Sequence, residues 1–407
     1  MITSILKQIW NKRRSNAWLL IELSIVFVLL WFVIDYQFTA MNVSHEPKGY
    51  DTHQVYHVSI ATNHNLRDEY DDEAWSDAYL QVYKQVKEYP GVESACFYGG
   101  TIPYEDGSVF QGYTVDSIHR YIANIRMVNK DFFEVFKVEI LQGSLNDWDI
   151  ATYPRPAIAS QDLADSLFQM RPVMGQPFFD YYAPYRKYTL GGITPRTKLT
   201  EYDRYAPFIY VPIEDWMLTK NAFIAPLMSV RINKSMEKGF ADRFTKDMRN
   251  LSIGPFYFSQ VKSYDEAKEI FDTKTNNYLR TSLALVLFFI FNVVLGVLGT
   301  FWFRTRKRRG EIGLRLALGA SRNNIFKELL IEGILILLIA VIPALIVCLN
   351  LWFVDLNINV WMDPSILRLS IGIGVTLLLM LLMIVIGIWY PAIQATRIQP
   401  AAALHEE

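Results

Sequence analysis

Residues 304–332 read RTRKRRGEIGLRLALGASRNNIFKELLIE and lie between two long apolar runs. Up to position 328 the stretch holds eight of the forty Lys and Arg residues in the chain, and Glu311 is the only acid before Glu328. Positive flanks are kept on the cytoplasmic side during insertion. A short basic loop between two spans is therefore expected at the inner face of a membrane protein.

The loop carries local order of its own. Residues 312–318 are rich in helix formers, Gly319 suits a left-handed helix end, and Ser321 suits the N-cap of a second helix through Ile325, Phe326 and Leu329. The expected unit is a short helix, a tight turn and a span, an elbow stiff enough to pass on a push. The plain alternative is a solvated linker whose charges only set topology.

The run Gly310-Glu311-Ile312-Gly313-Leu314-Arg315-Leu316-Ala317-Leu318-Gly319-Ala320-Ser321 resembles the coupling segment of FtsX/MacB-type ABC transporter permeases. That segment is written as a basic run, E-I-G, then A-L-G-A-[ST] and a helix ending in a glutamate, the place of Glu332 here. Pro391-Ala392, followed by Ala395, Arg397, Ile398, Pro400 and Ala402 to Leu404, is similar to the closing motif of the same family. The resemblance implies that Glu311, Ile312, Gly313, Arg315, Leu318, Gly319, Ala320 and Ser321 dock on a separate cytoplasmic ABC ATPase. ATP and Mg would then be bound by that partner, with no cofactor on this chain. It also implies a homodimer or a heterodimer with a related permease.

The near-neutral charge of the chain, −1, hides a partition. Residues 39–280 carry 26 basic and 32 acidic side chains, whereas 1–16, 304–328 and 391–407 together carry 13 basic and four acidic. The basic side should face the cytoplasm, both termini with it, and nothing there calls for nucleic acid. Cys96 and Cys348 fall in different contexts and are not expected to pair. His53 and His57 would lie roughly 13 Å apart on a strand, too far to share a metal. The acids at 68–73 lack the calcium-loop pattern and read as the start of a helix. No metal site is expected.

In chain order, 1–16 reads as an amphipathic interfacial helix on membrane lipids, with Ile2, Ile5, Leu6, Ile9 and Trp10 at helical spacing. The first span is placed at 17–38; it exceeds a usual signal core and lacks a small-x-small cleavage site, which favours an anchor. Glu22 lies inside it, where an acid is costly. It either contacts another helix or the elbow, or snorkels to the inner headgroups beside Arg13 or Arg14. Residues 39–262 form a large outer α+β domain of two lobes, the second at about 141–225. Strands are expected near 55–60, 96–98, 123–128, 155–159, 188–193 and 208–211, and helices at 73–89, 130–136, 161–168 and 238–250. The order Pro90-Gly91-Val92, 129–138, Leu141-Gln142-Gly143 and 208–212 resembles the MacB-type periplasmic core. A stalk and second span follow at 263–303, the coupling segment at 304–328, and the third span at 329–350, where Pro343 should kink it. An outer loop at 351–369 carries Arg368 as its one base, and the fourth span, 370–390, is expected to stop at Pro391 before a tail at 391–407.

The fold class is thus an α-helical membrane protein with four transmembrane helices plus a large α+β extracytoplasmic domain. No Gly-Lys dipeptide occurs, so no phosphate-binding loop is present, and neither is a Gly-x-Ser-x-Gly or His-Glu-x-x-His motif. No catalytic residue is expected. The function implied is that of a multi-pass permease subunit in a bacterial inner membrane, with its large domain in the periplasm. It would transmit ATP-driven motion outward for export, with a periplasmic adaptor and an outer-membrane channel as further partners. Release of lipoproteins, or activation of a cell-wall hydrolase, are alternatives within the superfamily. A membrane-anchored sensor or scaffold is the alternative outside it.

Overall fold

The computed structural model describes residues 2–11, 13–101, 103–104, 108–146, 148, 153–169, 174–222, 226–354 and 365–396. They divide into two compact units, one formed by 1–44 with 275–407 and the other by 45–274. Most of the expected outer loop, 355–364, and the closing motif from Arg397 onward lie outside the described residues.

The first unit is built on four helices long and apolar enough to cross a membrane: α2 (Arg13–Ser44), α7 (Tyr264–Lys307) from residue 275 onward, α9 (Arg322–Phe353) and α10 (Ile366–Thr396). A short helix, α1 (Ile2–Asn11), precedes them. With no water to serve the backbone in hydrocarbon, helices satisfy their own peptide groups, and association relies on close packing. Leu23, Phe27, Leu30, Val297, Ile336, Leu337, Met380 and Ile384 form the centre of that packing. Glycine brings the helices together. A Cβ at Gly387 would lie 2.8 Å from Val297 Cγ1, and one at Gly333 would lie 2.1 Å from Ile388 Cδ1. Ser24 Oγ donates to the Ala340 carbonyl at 2.8 Å, tying α2 to α9.

Three expectations change here. α1 divides its apolar residues between two faces: Ile5 and Ile9 are buried in the helix core, while Leu6 and Trp10 are exposed. Pro391 does not stop the last helix, which continues to Thr396. A proline removes one backbone bond, and neighbouring helices commonly compensate for it in a membrane. Arg368 belongs to α10 and is buried, not a loop base in water.

The second unit contains one continuous mixed sheet of twelve strands. Its strands are β1 (Val55–Thr62), β2 (Val92–Gly100), β3 (Phe110–Thr114), β4 (Tyr121–Val128), β5 (Gln142–Gly143), β6 (Arg155–Ser160), β7 (Pro177–Asp180), β8 (Lys187–Thr194), β9 (Phe208–Pro212), β10 (Leu227–Ile232), β11 (Ser252–Ile253) and β12 (Phe256–Ser263). The order is β11-β12-β1-β10-β2-β4-β3-β7-β8-β6-β9, with β5 on β8. β4 and β9 run parallel, as do β6 and β8, and the other pairs are antiparallel. The expected second lobe, 141–225, therefore adds its strands to the same sheet.

Helices α3 (Asp72–Lys87) and α6 (Phe240–Met248) cover one part of the sheet, where Trp75, Tyr79, Val82, Phe240 and Phe244 meet Phe97, Met228, Val230 and Phe256. α5 (Gln161–Leu167) closes a second core around Tyr113, Phe178, Tyr188 and Leu190. The short α4 (Phe132–Val135) places Phe132 and Phe136 against Tyr98. It is shorter than the expected 130–136. In the acidic run, Asp71 accepts from Ala74 N–H at 2.8 Å and caps α3. Among the described residues no group of three His, Cys, Asp or Glu side chains is placed to hold a metal. His57 is half-buried, and desolvation, with the charge of Lys262, lowers its imidazole to about 4.

Candidate functional site

The elbow forms from local rules. α7 ends at Lys307, α8 (Arg309–Ala317) follows after one residue, and Gly319 at φ +93° reverses the chain. Ser321 then caps α9, its Oγ accepting from Asn324 N–H at 3.2 Å. A Cβ at Gly319 would meet nothing within 4 Å, so glycine is required there by backbone conformation and not by crowding.

A chain of charges fixes this elbow to its neighbours. Arg304 reaches Glu332 at 3.3 Å, and Arg308 reaches the other oxygen of Glu332 at 3.2 Å. Arg308 also holds Glu311 at 3.1 Å, Glu311 takes Arg315 at 2.6 Å, and Arg315 Nη1 lies 2.9 Å from both oxygens of Glu328. Arg304 additionally donates to Asn16 of α2, whose amide nitrogen donates to the Ile9 carbonyl at 3.0 Å. The run from Arg304 through Glu332, Arg308, Glu311 and Arg315 to Glu328 therefore joins the end of α7, α8 and the start of α9. Charge-assisted and partly bidentate, it is the strong kind of hydrogen bonding. Because Glu332 and both of its arginines are largely buried, losing one partner would strand a charge.

α8 is apolar on two sides. Ile312 is buried in the helix core and Leu316 packs against that core. Leu314 and Leu318, also four residues apart, face outward and are 49% and 79% exposed. Burying a leucine is worth about 1.5–3 kcal/mol, so this outward pair is a ready contact for something else.

The structure brings together Glu311, Arg315 and Glu332 among the residues singled out by sequence. Gly313 is buried beside Ile312, Ala320 is half-buried, and Leu318, Gly319 and Ser321 stand exposed at the turn. Glu22 is not part of the chain of charges. Its carboxylate turns toward α7, where a Cβ on Gly296 would lie 2.7 Å from Oε1. Sequence reasoning missed Arg304, Arg308, Glu328 and Asn16. The available signal was spacing: two arginines four apart before the elbow face two glutamates four apart after it.

A family model of the MacB-like periplasmic core domain matches residues 19–238, more than half of the chain, and one of the FtsX-like permease C-terminal matches 283–400. The chain belongs to the FtsX/MacB-type permease family. The permease is 24% identical over 293 residues to the macrolide export ATP-binding/permease protein MacB 1/2 of Paracoccus denitrificans, covering 70% of this chain and 42% of that protein. It is likewise 24% identical over 294 residues to the uncharacterized ABC transporter permease YvrN of Bacillus subtilis, covering 69% of each. The permease thus spans less than half the length of the MacB relatives it matches. The crystal structure of the periplasmic region of MacB from Actinobacillus actinomycetemcomitans aligns with 57% of this chain and 98% of that one, at 12% identity and a TM-score of 0.35, a likeness too slight to carry weight. Within the family match fall both the elbow, inside 283–400, and most of the sheet-containing unit, inside 19–238.

Proposed function

We propose that this permease is the membrane subunit of an ABC transporter, docking a separate cytoplasmic ATPase at the elbow and passing ATP-driven motion along α7 to its outer domain. The carrying observation is the two-sided α8: Ile312 and the charge chain hold one side, and Leu314 with Leu318 leave the other open. A helix fixed so firmly on one side moves its neighbours when it is pushed on the other. α7 supplies the lever, a single helix of 44 residues and about 66 Å at 1.5 Å per residue.

In this reading Glu311, Ile312, Gly313, Arg315, Leu318, Gly319, Ala320 and Ser321 form the coupling element, and MgATP belongs to the partner. These 407 residues contain no Gly-Lys pair to build a phosphate loop. The elbow and both ends of the chain face the cytoplasm, the sheet-containing unit lies in the periplasm, and α1 rests on lipid through Leu6 and Trp10. Two permease copies, or this chain with a related one, complete the transporter. The macrolide-export naming of the MacB relatives supports export as the output. A periplasmic adaptor and an outer-membrane channel complete the proposed set of partners.

The test is purification of the tagged full-length permease in mild detergent, mass spectrometry of its partners and an ATPase assay of the complex. A Walker-motif subunit that co-purifies and hydrolyses ATP is the expected result. A lipoprotein or a cell-wall hydrolase in the complex would redirect the output to that branch. A signalling protein without ATPase activity, even after crosslinking, would replace the transporter reading with a sensor or scaffold.

A further inference from the structure

Within the unit 45–274, two segments connect the sheet to the helical spans: an incoming one, 45–50, after α2, and an outgoing one, 264–274, which opens α7. Between β8 and β9 runs a loop, 195–207, whose only ladder contact among the described residues is the bridge between Thr197 and Ala206. Loops of this length without regular structure are uncommon in compact domains and are usually functional.

This loop is sewn to the incoming segment. Lys198 N–H donates to the Lys48 carbonyl at 3.0 Å, Tyr50 Oη donates to the Leu199 carbonyl at 2.5 Å, and Tyr205 Oη donates to the Pro47 carbonyl at 3.0 Å. Lys198 Nζ pairs with Glu46 at 2.7 Å. Gly49, at φ +85°, allows the approach, since a Cβ there would lie 2.7 Å from the Arg196 carbonyl oxygen.

The same loop holds the outgoing segment through one carboxylate. Glu201 Oε1 accepts from Lys48 Nζ at 2.7 Å, from Lys268 Nζ at 2.8 Å and from Tyr104 Oη at 2.8 Å, and Lys48 Nζ also donates to Tyr104 Oη at 2.6 Å. The Glu201 side chain is 12% exposed. Burial alone would raise its carboxyl, yet hydrogen bonds from Lys268 and Lys48 bring it down to about 2, so it stays ionised. A further ion pair, His53 just past the incoming segment with Asp265 at 3.3 Å, is exposed and correspondingly weak.

We propose that Glu201 is a positioning residue that fastens the incoming and outgoing segments into one piece, so that displacement of α7 is delivered to both and not absorbed between them. The mechanical part rests on the reading of α7 as the moving lever; the fastening itself does not. Three donors on a single oxygen make Glu201 the shared point. Removing its charge would leave Lys48 and Lys268 without a common partner and let the two segments separate.

The experiment uses the full-length protein in nanodiscs without any ATPase, so its outcome is independent of the docking reading. Spin labels are placed at His45→Cys and Ile270→Cys, both exposed, with the native Cys96 and Cys348 buried. Electron–electron resonance then reports the distance between the segments. The expected result is one narrow distribution in the parent protein, broadened or split in Glu201→Gln and Lys268→Met with near-ultraviolet dichroism retained. The double variant should broaden no further than either single one, because both remove the same link. A parent-like distribution in Glu201→Gln overturns the proposal. Should Glu201→Gln fail to fold, Lys268→Met decides alone by the same criterion.

Discussion

Arg368 grips Asp35 with two parallel hydrogen bonds, Nε to Oδ1 at 2.9 Å and Nη2 to Oδ2 at 2.6 Å, although 333 positions separate them in sequence. Their side chains are only 2% and 3% exposed. The pair binds α10 to α2, and its bidentate geometry fixes the relative rotation of the two helices as well as their contact. Arg368→Met or Asp35→Asn should each cost roughly 3–5 kcal/mol by breaking a buried ion pair from one side, whereas Asp35→Leu combined with Arg368→Met should recover much of the loss. Unfolding of the full-length protein in detergent, followed by tryptophan fluorescence, would measure both. Single variants as stable as the parent would show that the pair does not hold the bundle.

That pairing marks the limit of what the sequence discloses. The elbow is legible because its signals are local: Gly319 and Ser321 act within a few residues of where they stand. The four spans are legible by length and hydropathy, and β1, β2, β4, β6, β8 and β9 by apolar runs between turns. β10 escapes because Arg231 sits in its middle; the structure buries that guanidinium against the carbonyls of Val135, His53 and Asp51, a set of acceptors assembled only in three dimensions. β3 is short and broken by Gly112, and β12 alternates between buried Phe256 and Phe258 and exposed Tyr257 just before a helix, where its pattern is easily merged with the stalk. The chain of charges from Glu332 to Glu328 was visible only as spacing. Which acid meets which base depends on the angle between α7, α8 and α9.

Gly387 and Gly333 should respond differently to the same added methyl. At Gly387 the new Cβ meets the stiff, branched Val297, with Cγ1 at 2.8 Å and Cβ at 3.0 Å, and also the Val294 carbonyl at 3.3 Å. At Gly333 the nearest atom, Ile388 Cδ1, is the far end of a side chain that can rotate away. Gly387→Ala is expected to destabilise by about 1–3 kcal/mol and Gly333→Ala by less. Thermal unfolding of the two variants side by side gives the order, and the reverse order would mean that the α7–α10 contact is not the tighter one.

Stability of the outer unit should fall in acid in a way that depends on Glu201. Its folded value of about 2 lies below the ordinary value of 4.5, so its contribution is complete above pH 4.5 and is lost as pH falls from there toward 2. The shift corresponds to a contribution on the order of 3 kcal/mol. Glu201→Gln should lower the unfolding midpoint at pH 6 and flatten its decline between pH 5 and 3. Equal slopes for parent and variant over that interval would remove Glu201 as a source of the acid sensitivity.

Two elbow variants separate conformation from charge. Gly319→Val has room for its side chain but not for its backbone, and a left-handed residue with a Cβ costs roughly 1–2 kcal/mol. Glu311→Lys sets a like charge against Arg308 and Arg315. Each should uncouple ATP hydrolysis from transport in the assembled transporter while the outer domain stays folded. Retained transport in both variants would deny the elbow its coupling role.

The most direct measurement places a photo-crosslinking amino acid at Leu318, the exposed tip of α8, and identifies by mass spectrometry what it captures in living cells. The expected capture is a protein carrying a Walker-type nucleotide site, with the adduct lost when the same probe is moved to buried Ile312. Capture of lipid alone, or of a protein with no nucleotide site, would contradict the docking of an ATPase at this elbow.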